Sequence, residues 1–111
     1  MKDYVIMNDN KKLVHCDLNT WSQWMKTHGR IIIQTNRDNL LISTVFLGAY
    51  YAFTQEPKFF ETMVFPDNDK FDNELYCDKY VTYEQAINGH IKACKRFLKN
   101  YTKDDLFVDK L

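Results

Sequence analysis

The chain has 111 residues and a mass of 13.3 kDa, with 15 Lys and Arg against 15 Asp and Glu and an apolar share of 45%, which fits a single domain around one core. Zero formal net charge removes the excess of cations on which nonspecific nucleic-acid binding draws, and it equally excludes an acidic mimic of DNA. Aromatic residues reach 15% while Gly and Pro number three and two, a composition that buries a core and is far from that of a disordered chain.

Tyr4 to Met7 and Leu13 to Cys16 are β-prone runs separated by Asn8-Asp9-Asn10-Lys11, and they predict an opening hairpin because Asn and Asp tolerate positive φ. Thr20 with Gln23 three residues on matches a capping box. Trp21, Trp24, Met25 and His28 follow at helical spacing until Gly29, so a first helix of roughly two turns is predicted, packed through its indole rings. Arg30 to Thr35 and Leu40 to Leu47 read as two more strands around the turn residues Asn36-Arg37-Asp38-Asn39, and Phe59 to Phe65 as a fifth ended by Pro66. Strands four and five carry apolar residues at both parities, which predicts a sheet covered at least in part on both faces.

Between them, Gly48 to Lys58 carries Tyr50, Tyr51 and Phe53. The segment is too long for a tight hairpin and too aromatic for an ordinary solvated loop. Asp67 to Glu74 is a polar, acidic loop, and Leu75 to Tyr80 a candidate sixth, edge strand. Thr82 and Gln85 open the last helix with a capping box, Glu84 lies in its first turn, and Lys95, Arg96 and Lys99 crowd its end. Ala86, Ile87, Ile91, Cys94, Phe97, Leu98 and Tyr101 form its apolar stripe. The tail Leu106-Phe107-Val108 is apolar enough to dock, to add as a strand, or to join two copies. The order of elements predicts an α+β fold, an antiparallel sheet of five or six strands with one short helix and a long C-terminal helix packed on one face.

Nucleotide-phosphate fingerprints, a nucleophile elbow and paired metal-ligand spacings are all absent from the sequence, so no cofactor and no metal is expected. The acidic loop lacks the Gly and distal Glu of a calcium-binding EF-hand. Cys16, Cys77 and Cys94 cannot all pair within one chain, and with no apolar run long enough for a signal peptide or a membrane span the expectation is a reduced, cytoplasmic protein. Glu61, set among Phe59, Phe60, Met63 and Phe65, is a candidate acid or base if buried; a solvent-facing position or an ion pair with Arg30 is the structural alternative. His90 falls on the apolar stripe of the last helix, and the preceding Gly89 suits a close helix–sheet approach that brings His90 to the sheet. A cluster of Thr44, Glu61 and His90 is then a candidate polar-ligand or catalytic site, against the reading that each is structural. Tyr50, Tyr51 and Phe53, with Arg30, are the candidate binding residues, because aromatics anchor interfaces with few rotors; the alternative is a lid folded over the core.

The stretches Asp17-Leu18-Asn19-Thr20-Trp21-Ser22-Gln23-Trp24, Ile42-Ser43-Thr44-Val45-Phe46-Leu47-Gly48, Phe59-Phe60-Glu61-Thr62-Met63-Val64-Phe65 and Tyr80-Val81-Thr82-Tyr83-Glu84-Gln85-Ala86-Ile87-Asn88-Gly89-His90, together with Arg30 and Thr35, resemble a group of small uncharacterised phage, prophage and bacterial proteins. That group carries an Asp-His pair where this chain has Tyr50-Tyr51. The resemblance implies a phage-type accessory protein and brings no reaction or ligand with it. The expected function is non-enzymatic binding of a host or phage protein through the Tyr50–Phe53 loop and the neighbouring sheet, with a small enzyme or polar-ligand binder using Glu61, His90 and Thr44 as the alternative. With no net charge, binding to a macromolecule is expected to respond only slightly to salt.

Overall fold

The structure, a computed structural model, describes residues 2–51, 57–67 and 73–110. Its class is α+β. In chain order the elements are β1 (Lys2–Met7), β2 (Leu13–Cys16), α1 (Leu18–His28), β3 (Ile31–Arg37), β4 (Leu40–Phe46), β5 (Ala49–Tyr51), β6 (Phe60–Pro66), β7 (Tyr76–Tyr80), α2 (Tyr83–Phe97) and α3 (Lys103–Lys110).

The strands form two sheets where one of five or six was expected. A four-stranded antiparallel sheet has the order β3-β4-β6-β7, and a three-stranded one the order β2-β1-β5. The division falls at Gly48, whose φ of 70° lies in the region that only glycine enters freely. There the chain leaves β4 and turns into β5, three residues taken from what composition marks as a loop. Val5 N–H donates to Gly48 O at 2.8 Å, tying the small sheet to this corner. A Cβ at Gly48 would stand 2.5 Å from Trp21 Nε1, so the indole of α1 fits only because the side chain is missing.

Helix α1 starts earlier than the Thr20–Gln23 spacing predicts. Asp17 is its N-cap, accepting from Thr20 N–H at 2.7 Å, since an Asp carboxylate satisfies a free N–H and the positive helix terminus together. Its indoles pack as expected, Trp21 on Tyr4 with ring centroids 5.2 Å apart and Trp24 edge-on to Phe46 at 5.4 Å. At α2 the capping box is present. Thr82 Oγ1 accepts from Gln85 N–H at 3.1 Å, and Gln85 Oε1 accepts from Thr82 N–H at 3.2 Å. Leu106, for which docking, an added strand or a contact between copies is expected, lies in the short helix α3 and is buried in the core.

Register across the large sheet sorts its residues by face. Thr44 pairs with Thr62, and its neighbour Val45 with Glu61. Because successive side chains alternate, Ile42, Thr44 and Phe46 point to one face with Phe60, Thr62 and Val64, all of them fully buried. Val45, Glu61 and Met63 point to the other and are only half-buried. Strand β3 contains a bulge between Ile31 and Ile33, so that Ile31 pairs with Val45 while Ile33 pairs with Thr44. One extra residue thus sends Ile31 to the open face and Ile33 to the core. Ile32 between them packs against both hydrophobic clusters.

Candidate functional site

The closed face of the large sheet holds a polar chain. Thr35 Oγ1 lies 2.9 Å from His90 Nε2, Thr44 Oγ1 lies 2.7 Å from His90 Nδ1, and Thr44 and Thr62 join hydroxyls at 2.5 Å. His90 is 0% exposed, as are Thr44 and Thr62. A neutral imidazole has one donor and one acceptor nitrogen, and hydroxyls rotate to serve either, so both tautomers leave this chain satisfied. Gly89 brings it together: a Cβ at that position would stand 2.1 Å from Tyr80 Oη, and the tyrosine ring occupies the space a side chain would take. The Tyr80 hydroxyl is buried over the glycine and leans toward Thr62 without a hydrogen bond of good geometry among the described residues. Burial pushes its pKa up to about 12.

Glu61 stands on the other side of the sheet. The anticipated trio therefore splits: Thr44 and His90 meet, and Glu61 does not reach them. Parity explains the separation, because the partner of Thr44 is Thr62, one residue along, and a single step in a strand reverses the face. Glu61 is 17% exposed at its side chain and pairs with Lys79 at 3.7 Å; among the described residues it makes no ion pair with Arg30. Cys77 Sγ–H donates to Glu61 Oε2 at 3.6 Å. The Cys77 residue is exposed, yet partial burial of its sulfur and then the Glu61 charge push the thiol up to about 11, which leaves little thiolate at neutral pH.

Around Glu61 the open face forms a groove of about 440 Å³, lined by the apolar Ile31, Val45, Met63 and Phe65 and the polar Gln34 and Ser43, together with Arg30. Ile31 is 58% exposed. Among the described residues, those lining the groove belong to the large sheet, with Arg30 just ahead of β3. Arg30 also lines a second groove of about 550 Å³, walled by Trp21, Met25, Leu47 and Ala49 and carrying Lys26. Sequence reasoning singled out Arg30 and missed Ile31, Val45 and Met63. The signal lies in the apolar residues at both parities of β4 and β6, a pattern that a covered face and an open apolar face share.

Tyr50 and Tyr51 lie in β5 at the edge of the small sheet, in register with Asp3 and Lys2, and Phe53 lies outside the described residues. The described residues contain no group of three or more His, Cys, Asp or Glu poised for a metal ion, and no helix among them is long and apolar enough to cross a membrane. No family model, curated protein or solved structure matches the chain.

Proposed function

We infer that the protein works as a binding module, taking hold of another protein through the open face of its large sheet. A single observation carries this reading: Ile31, Val45, Met63 and Phe65 line an unfilled groove beside Arg30, where a self-contained sheet presents polar side chains. Tyr50 and Tyr51 extend the same reading to the edge of the small sheet. The phage-type, accessory character of the protein enters through the resemblance of its motifs and makes a host or phage protein the partner class.

The experiment is photocrosslinking from a reactive residue placed at Ser43, in cells that make the protein, with Val45→Asp as the companion variant. Specific adducts at Ser43 that disappear with Val45→Asp, while the melting temperature stays within a few degrees of the parent, support the reading. Adducts that persist unchanged in Val45→Asp remove it.

A further inference from the structure

The two grooves meet at Arg30, and their charges differ in a way that specifies an occupant. In the second groove the lining holds Lys26 and Arg30 beside Trp21 and Met25, with no carboxylate among the described residues. Neither cation has an ion-pair partner among the described residues. In the first groove the carboxylate among the described residues, Glu61, is held by Lys79 and Cys77. An approaching segment therefore meets apolar walls with Arg30 at the junction and Lys26 beyond it in the second groove. The β3 bulge adds a positional reason, since it turns Ile31 outward immediately after Arg30 and so sets an apolar contact next to a charge.

We propose that the segment bound by this face is an extended stretch of a protein partner with an acidic end, whose aliphatic side chains enter the Val45–Met63 groove and whose following carboxylates sit at Arg30 and Lys26. This deepens the binding-module reading and rests on it. Local charge here departs from the neutral total, so the attraction is sensitive to salt even though the net charge of the chain is zero.

The test uses the full chain and three synthetic peptides of equal length, each an alternating leucine–serine stretch ending in two glutamates, two lysines or two serines, read by amide shifts at Ile31, Val45 and Met63 and by fluorescence anisotropy. The glutamate peptide is expected to move those amides and to bind about tenfold more tightly than the lysine peptide. The double variant Lys26→Glu with Arg30→Glu is expected to reverse that preference, and Lys95→Glu on the solvent side of α2 to leave it unchanged. Raising salt is expected to narrow the gap between glutamate and serine peptides to about twofold or less. Equal binding of all three peptides, an unaltered preference in the double variant, or no shift with any peptide overturns the acidic segment. With Val45-dependent adducts at Ser43 still forming, that result removes the acidic partner alone; without them the surface itself is removed. A nucleoside monophosphate that shifts the same amides more than the glutamate peptide also overturns the proposal, in favour of a small anion.

Discussion

Each face of the large sheet carries some side chains of the polarity expected on the other. Its closed face, under α2, seals three threonines and a histidine at 0–2% exposure, while its open face presents Ile31, Val45, Met63 and Phe65 to a groove. Sealing these groups is tolerable because the three threonine hydroxyls and both ring nitrogens of His90 find one another. Leaving aliphatic groups half-exposed forgoes their burial, on the order of 25 cal/mol per Å², unless something else covers them. The contrast separates a face filled by the protein's own helix from one whose apolar side chains stay only partly buried.

The comparison breaks most forcefully on the closed side. His90→Ala leaves a cavity and removes one hydrogen bond each from Thr35 and Thr44, and about 3 kcal/mol of stability should be lost in urea unfolding; a loss below about 1 kcal/mol would show that the network contributes little. Gly89→Ala comes next. In an open helix this change gains about 1 kcal/mol, but with Tyr80 Oη 2.1 Å from the new Cβ the overpacking should reverse the sign and destabilise by about 2 kcal/mol. On the open side, Met63→Ser should shift stability by less than about 1 kcal/mol and weaken partner capture severalfold, and a stability loss as large as that of His90→Ala would erase the distinction between the faces.

Alkali provides a gentler probe of both sides together. Tyr80 and Cys77 have pKa values raised from the ordinary 10.0 and 9.0 to about 12 and about 11, so the folded state keeps protons that the unfolded chain gives up. Their contribution to stability is complete below pH 9 and is lost as pH climbs through 9 to 12, which unfolding midpoints measured across that range should follow downward. The smallest expected effect is at Cys77 itself. Glu61→Gln removes the second cause of its raised pKa and should speed alkylation of the thiol severalfold at pH 8.

Much of this was legible residue by residue. The opening hairpin, the capping box at Thr82 and Gln85, and the glycine stop at Gly29 depend on local chemistry that a short window contains. His90 beside the sheet followed from Gly89 and helical spacing. What escaped was decided by non-local geometry. The turn of the chain at Gly48 into a second sheet depends on where Val5 returns, and the separation of Glu61 from Thr44 depends on a pairing register that sequence spacing leaves open by one residue. Helix α1 began early because Asp17 outcompeted Thr20 as a cap, a choice between two good candidates. The apolar residues at both parities of β4 and β6 were visible throughout, and only the fold could tell a covered face from one left open.

The bulge in β3 makes core and groove share a single residue of slack. Ile31, Ile32 and Ile33 are chemically the same side chain three times, yet one faces outward, one bridges two clusters and one is sealed. Deleting any one of them would restore plain alternation and leave composition almost untouched. It would also force a choice: either the core keeps its isoleucine and Arg30 is drawn one place along the sheet, or Arg30 stays and the core is left short. Point substitutions can tune the two faces separately, whereas an insertion or deletion here changes both at once. Length, more than side-chain identity, is what this stretch of chain conserves for the molecule.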